Sequence, residues 1–250
     1  MNIILFEKDE ISTQTIVLND RRAKHLVKIL KVSVGDRLRV GIINSVKGEA
    51  CVLRCSSGYP FEVELELQWF EEVEKKPPID LIVALPRPIM LRRIFSQAAA
   101  LGVGSLQIIH AGRVEKSFWN ATLLQEEESR SHLVQGLEQA VATRLPKVGL
   151  HRGFKSFIEN WLNSNVDNYG LKVLAHPCRI NIPVNSQVGL NTRILAAVGP
   201  EGGWLDYEVQ RFTEYGFSSI SMGDRILKVD TAVVALHSRL SLLLEQQHLP

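Results

Sequence analysis

Ile194-Leu195-Ala196-Ala197-Val198-Gly199-Pro200-Glu201-Gly202-Gly203-Trp204 decides the fold class. Its first five residues form an apolar run of strand length, the pattern of a strand buried on both faces. The run ends in a glycine-rich turn, where backbone can approach a ligand that side chains would keep away. A helical pattern follows over Tyr207–Tyr215. Farther along, a second unusual loop, Met222-Gly223-Asp224-Arg225-Ile226-Leu227-Lys228, leads into another helical pattern over Thr231–Gln247. Two such loops close together predict a small-molecule site built mainly from main chain.

Working back from this stretch, the same rhythm holds. Ile79–Leu85, Leu106–His110, Leu171–Leu174 and Phe217–Ser221 read as strands. Met90–Leu101, Leu123–Arg144 and Phe157–Leu162 read as helices between them. Strands alternating with helices predict a mostly parallel sheet covered on both faces. Ligands in such sheets sit outside the carboxyl ends of the strands. The glycine loop, the Met222–Lys228 loop and a third, Ala175-His176-Pro177, all occupy that position.

The N-terminal part reads differently. Ile3–Phe6, Thr15–Leu18, Arg37–Ile43, Ala50–Cys55 and Phe61–Phe70 have strand character, and Val63, Leu65 and Leu67 alternate with Glu62, Glu64 and Glu66. Arg21–Leu30 reads as a helix with Ala23, Leu26, Val27 and Leu30 on one face. Short strands with turn signals predict a small barrel. The charged stretch ending in Pro77-Pro78 reads as a linker. This places a small β-barrel domain at 1–72, a linker at 73–78 and the α/β domain at 79–250.

Composition narrows the function classes. The chain has 250 residues, 45% of them hydrophobic, so it can bury real cores. No apolar run approaches the roughly 18 residues of a membrane span, and the start Met1–Glu7 lacks a basic leader, which predicts no signal peptide. Cys51, Cys55 and Cys178 form no disulfide framework, so a reducing, cytoplasmic setting is expected. No Cys or His set stands at metal-ligand spacing, and metal ligands are not expected. The Walker, G-x-G-x-x-G and G-x-S-x-G patterns are absent, which weighs against nucleoside triphosphate, nicotinamide and nucleophile-elbow chemistry. The net charge is only +2, but Arg21, Arg22, Lys24, Lys28, Lys31, Arg37 and Arg39 crowd one segment. Such a stripe is either a solvated face or a phosphate-binding one.

Taken in order, these segments resemble the RsmE family of ribosomal RNA methyltransferases in the SPOUT class. Gly199-Pro200-Glu201-Gly202-Gly203 resembles the family's second cofactor loop, and Met222–Ala232 resembles its third. Leu101-Gly102-Val103, Glu138-Gln139 with Arg144-Leu145-Pro146, and Arg22, His25, Leu26, Leu30 and Gly35-Asp36 resemble further family segments. The resemblance covers nearly the whole chain. It departs at Lys228, where arginine is usual, at Asp230 and Ala100, where glutamate is usual, and near Arg87, where lysine is usual.

The resemblance implies a PUA-like N-terminal barrel, a C-terminal trefoil knot, a homodimer, S-adenosylmethionine as cofactor, and N3-methylation of one uridine in small-subunit (16S) ribosomal RNA. The substrate is then free ribosomal RNA or an assembled small subunit. Ala175, His176, Pro177, Gly199, Pro200, Glu201, Gly202, Gly203, Met222, Gly223, Ile226 and Leu227 become the expected cofactor contacts. Uridine N3 must lose its proton, and charge spreading to the flanking oxygens must be stabilised. Lys228 and Arg225 are the candidate cations, and Asp230 and Glu201 the candidate carboxylates. Arg21, Arg22, Lys24, His25, Lys28, Lys31, Arg87 and Arg92 are the expected RNA contacts. Two alternatives stay open here: methylation of another RNA atom such as a ribose 2′-hydroxyl, and a non-catalytic RNA-binding assembly protein, which the departures at Lys228, Asp230 and Ala100 motivate.

Overall fold

The computed structural model describes residues 1–73, 77–177 and 192–246, with residues 71–73 given as backbone only. Glu74, Lys75 and Lys76 of the expected linker, Cys178 and Gln247 lie outside the described residues. Two compact units are present. One comprises Met1–Lys75 with Val134–Leu145, the other Lys76–Leu133 with Pro146–Pro250.

The first unit is a mixed five-stranded sheet of β1 (Ile4–Phe6), β2 (Thr15–Leu18), β3 (Arg37–Ile42), β4 (Val46–Cys55) and β5 (Val63–Val73), in the order β1-β3-β4-β5-β2. The alternation in β5 places Val63, Leu65 and Leu67 in the core, beside Phe6, Leu26, Val40 and Val52. The segment after the helix Glu126–Ala140 is tied to this sheet: Asn44 N–H donates to Thr143 C=O at 2.8 Å, and Thr143 Oγ1 donates to Ser45 C=O at 2.9 Å. Gly41 makes room for it, since a Cβ there would lie 2.7 Å from Thr143 Cγ2.

The expected helix Arg21–Leu30 is an α-helix only over Arg21–His25 and widens to a π-helix over Leu26–Leu30. Asp20 caps its start by accepting from Arg22 N–H. The wider turn rotates the residues that follow, so Leu30 is 47% exposed instead of sharing the buried face with Ala23 and Leu26.

The second unit holds β6 (Ile79–Ala84), β7 (Ser105–Ile109), β8 (Lys147–His151), β9 (Leu171–Ala175), β10 (Ile194–Val198) and β11 (Ser218–Ile220). They form one sheet, ordered β11-β9-β10-β6-β7-β8, and every pairing is parallel. Every residue of β6 and β10 is buried, as central strands covered on both faces require. The helices Pro88–Ala100 and Val229–Glu245 pack against one another.

At the amino ends of the strands, the fully buried Asp80 Oδ2 accepts from the Tyr169 hydroxyl at 2.7 Å and from the Arg193 guanidinium. A carboxylate taken out of water persists only when paired in this way. Burial and the Asp80 carboxylate together push the Tyr169 phenol above its ordinary value of 10.0.

Two further features depart from the sequence reading. The expected helix Leu123–Arg144 is a 3-10 turn at Thr122–Leu124 followed by the helix Glu126–Ala140. Three glutamates in its first turn suit the positive end of the helix dipole, and Val141, at φ 55, ends it. β8 has no counterpart among the expected strands: it is an edge strand without a fully buried residue, so it carries no apolar run to find.

Candidate active site

The carboxyl ends of β9, β10 and β11 enclose a cavity of about 200 Å³. The loop after β9 contributes Ala175, His176 and Pro177; the loop after β10 contributes Gly199, Pro200, Glu201, Gly203 and Trp204; the loop after β11 contributes Met222, Gly223, Asp224, Arg225, Ile226 and Leu227. Segments far apart in sequence meet because their strands are neighbours in the parallel sheet: His176 N–H donates to Ile220 C=O at 3.1 Å, joining the first loop to the third. Of the expected cofactor contacts, only Gly202 is not part of the lining.

Each glycine of the second loop has its own reason. A Cβ on Gly199 would lie 3.1 Å from the Trp204 indole, and one on Gly202 would lie 3.1 Å from Arg113 Cδ. Gly203 has φ +75, a conformation that side chains disfavour. Arg113 then fastens the loop, its Nη1 donating to Gly202 C=O at 2.5 Å. Glu208 braces the next turn by accepting from Leu205 N–H and Gly112 N–H, both at 2.8 Å. Trp204 packs edge-on against the fully buried Phe212, with ring centroids 5.1 Å apart.

Two residues of this lining, Trp204 and His176, each carry a buried polar atom, Nε1 and Nδ1, that makes no hydrogen bond among the described residues. A buried polar group without a partner costs free energy that a polar ligand would recover. Glycine backbone, an indole N–H and an imidazole nitrogen make a polar set suited to a small ligand with polar edges.

The three expected catalytic residues are placed differently from one another. Arg225 is exposed on the cavity rim. Lys228, also at the surface, is the N-cap of the helix Val229–Glu245 and is not part of the lining. Asp230 lies in the first turn of that helix, 5% exposed, and accepts from Arg93 Nη1 at 3.2 Å. That pairing joins the helices Pro88–Ala100 and Val229–Glu245. The fourth candidate, Glu201, lines the cavity and accepts from Arg87 N–H at 3.1 Å. Arg87 caps the helix Pro88–Ala100, so the carboxylate sits at the positive end of that helix.

The expected RNA contacts divide as well. Lys24 and Lys31 are exposed, and so is Lys28, whose Nζ lies over the Phe61 ring at 5.1 Å. Arg22 is instead taken up internally: it pairs with Glu10 at 2.6 Å and Asp20 at 2.8 Å, donates to Leu5 C=O at 2.9 Å, and its side chain is only 11% exposed. Burial works against its charge, and these carboxylates outweigh it, so its pKa is raised further. Arg21 pairs with Glu138 at 2.7 Å, and His25 Nε2 is buried. Arg87 and Arg92 are exposed in the second unit. The sequence offers Arg113 as an RNA contact, whereas the structure uses it as the clamp on Gly202, a contact between segments remote in sequence; Val229 and Ala232, which also line the cavity, fall within the Met222–Ala232 segment.

A family profile described as RNA methyltransferase domain matches residues 74–241. The chain is 31% identical over 241 residues to a ribosomal RNA small subunit methyltransferase E of Treponema pallidum, covering 94% of this chain and 88% of that protein. It is 28% identical to ribosomal RNA small subunit methyltransferase E 1 of Borreliella burgdorferi, covering 94% and 95%. A crystal structure of a ribosomal RNA small subunit methyltransferase E from Neisseria gonorrhoeae, bound to S-adenosyl methionine, shares the fold, with a TM-score of 0.77 at 19% identity, covering 97% of this chain and 98% of that one. Sequence, fold and the placement of the three loops agree: the chain belongs to the ribosomal RNA small subunit methyltransferase E family and is an RNA methyltransferase.

Proposed function

We propose that this enzyme methylates N3 of one uridine in small-subunit (16S) ribosomal RNA, with S-adenosylmethionine held in the cavity at β9, β10 and β11. The observation that carries the cofactor assignment is the meeting of three loops, rich in glycine backbone, whose lining residues Trp204 and His176 hold buried Nε1 and Nδ1 atoms without a partner among the described residues. The lining fits the group: the backbone of Gly199, Gly203 and Gly223 would let polar edges come close, and a small shift of Trp204 would let its Nε1 donate. When bound, the cofactor supplies a methyl group on a sulfonium, ready for a nucleophile in line with it.

The chain's own residues then prepare the uridine. Arg225, on the cavity rim, stabilises negative charge at the uracil oxygens as N3 loses its proton. Glu201 is the rim carboxylate; one oxygen is held by Arg87 N–H, and the other accepts the N3 proton. Asp230 acts as a positioning residue through Arg93. Exposed Lys24, Lys28 and Lys31 hold the RNA backbone, a role that fixes position and carries little sequence information.

The rest of the reading follows the family resemblance. The N-terminal barrel at 1–72 is PUA-like and joined by a linker at 73–78, the domain at 79–250 contains a trefoil knot, and two copies work together in the cytoplasm. The test is methylation of purified small ribosomal subunits and of naked 16S ribosomal RNA, followed by mass-spectrometric mapping of the product. N3-methyluridine at one site supports the reading; a 2′-O-methylated nucleoside overturns the assignment of the atom.

A further inference from the structure

A second cavity opens on the ligand-bearing side of the parallel sheet, beyond the ends of β7 and β8. It measures about 630 Å³ and is lined by His110, Gly112, Phe154, Lys155, Asn160 and Tyr207, among others. That volume lies within the roughly 300–1,000 Å³ typical of small-ligand sites.

Its walls combine an aromatic face with mixed polar groups. Tyr207 is 51% exposed and is held edge-on by the buried Phe154, with centroids 5.7 Å apart at 86°. Phe154 is fixed in turn by Phe212 at 5.6 Å, so the tyrosine rests on the core that also supports Trp204. His110 Nδ1 accepts from Trp119 Nε1 at 2.9 Å, leaving Nε2 as the donor of the neutral ring. Glu159 and Asn160 belong to the π-helix Phe157–Leu162, and such widened turns recur at functional sites. The charged lining is one lysine and one glutamate, Lys155 and Glu159, paired loosely at 3.8 Å. A lining so nearly neutral does not suit a run of phosphates. A flat ring, a donor, an amide and a single exchangeable cation suit one unpaired base with its phosphate at the rim. Close by, the Arg152 guanidinium lies over the Trp119 ring, 5.2 Å from its centroid.

The cavity is wired to the glycine loop. Gly112 lines it and donates to Glu208, the neighbour of Tyr207, while Arg113 grips Gly202 C=O. A Cβ on Gly112 would lie within 3 Å of Leu205 Cδ1, at 2.3 Å, so this junction is tightly packed.

We propose that this cavity is a subsite for a second, unpaired nucleotide of the RNA substrate, its base stacked on Tyr207 and read by Asn160 and His110, its phosphate held by Lys155. The inference rests on the RNA methyltransferase reading and adds the strand's path: single-stranded RNA crosses from the β9–β11 cavity to the β7–β8 cavity. Stacking on an aromatic side chain changes affinity by about 5- to 150-fold per base.

The test photocrosslinks 4-thiouridine-substituted 16S ribosomal RNA to the 250-residue chain and maps the joined peptide by mass spectrometry. In parallel, Tyr207→Ala, Tyr207→Phe and Asn160→Ala are assayed for RNA affinity and for S-adenosylmethionine affinity by calorimetry. A crosslink at Tyr207, an RNA affinity lowered at least about 5-fold by Tyr207→Ala and kept by Tyr207→Phe, and unchanged cofactor affinity support the subsite. Crosslinks confined to other surfaces, or equal RNA affinity in all variants, overturn it. If Tyr207→Ala does not fold, the wild-type crosslink and Asn160→Ala still decide. A chain that crosslinks at Tyr207 yet transfers no methyl group leaves the subsite standing and removes the catalytic reading.

Discussion

The Trp204 indole lies 3.1 Å from the position a Cβ on Gly199 would take, closer than side chains ordinarily pack. A side chain there is therefore disfavoured by packing within the loop, before any ligand arrives, unless the indole gives by a few tenths of an ångström. The same indole presents an N–H that is buried and unpartnered among the described residues. Two substitutions separate these roles. Gly199→Ala overpacks the loop and should destabilise the chain by about 1–3 kcal/mol, seen as a lower melting temperature. Trp204→Phe removes the unpartnered N–H but leaves a small cavity beside Phe212, so unliganded stability should change by no more than about 1–2 kcal/mol, while S-adenosylmethionine affinity falls about 2- to 10-fold. Equal affinity in Trp204→Phe, measured by calorimetry, would show that the N–H does not meet the cofactor.

Asp230 and Arg225 should respond in opposite ways. Asp230 is a buried carboxylate paired with Arg93 across two helices. Asp230→Asn should lower the melting temperature, Arg93→Ala should lower it to a similar extent, and the double variant should show strong non-additivity. At a temperature where both remain folded, kcat should stay within about tenfold of wild type, as expected of a residue that only positions others. Arg225→Ala should leave the melting temperature near wild type and lower kcat about 10²- to 10³-fold. A loss in Asp230→Asn as deep as that in Arg225→Ala would return Asp230 to the reacting atoms.

Much of this fold was legible because its signals are local. Ile194–Val198 and Thr15–Leu18 are strands over the expected residues, since an apolar run closed by glycine and a short β-branched segment announce themselves. The loops were legible for the same reason: residue types with special backbone freedom stand directly after strands. What stayed hidden depends on partners remote in sequence. The internal role of Arg22 is decided by Glu10 and Leu5 C=O, with nearby Asp20 adding to them, and the pairing of buried Asp230 by Arg93. β8 shows no apolar run because it is an edge strand, and Leu30 is exposed because the π-helix adds a residue to the turn. Gly199 could be recognised as special from sequence; that Trp204 is what makes it so could not.

The basic N-terminal segment divides into two experiments. Replacing Lys24, Lys28 and Lys31 with glutamine removes exposed cations, so RNA affinity should fall. Its log–log dependence on salt should become shallower by about 0.7–0.9 for each phosphate no longer neutralised. The melting temperature should hold. Arg22→Gln removes a guanidinium held by Glu10, Asp20 and Leu5 C=O, so it should destabilise the first unit while leaving the salt slope unchanged. Filter binding over a salt series and thermal melts check both. A flattened slope in Arg22→Gln with normal stability would put Arg22 on the phosphate backbone after all.

His237 makes stability depend on pH. It is 6% exposed within the helix Val229–Glu245, and burial lowers its pKa from the ordinary 6.5. The folded chain therefore favours the neutral ring, whose Nδ1 lies 3.3 Å from Ser241 Oγ. Below pH 6.5 the unfolded chain takes up a proton before the folded one, so the contribution is fully present above 6.5 and is lost as pH falls through the lowered folded value. His151 is shifted in the same direction by burial and adds to the trend. Urea unfolding between about pH 7.5 and about pH 5 should thus show stability falling with pH, and His237→Gln should reduce the slope by up to about 1.4 kcal/mol per pH unit. A variant with the wild-type slope would mean that His237 titrates alike in the folded and unfolded chain, and that its burial is relieved by a path to solvent.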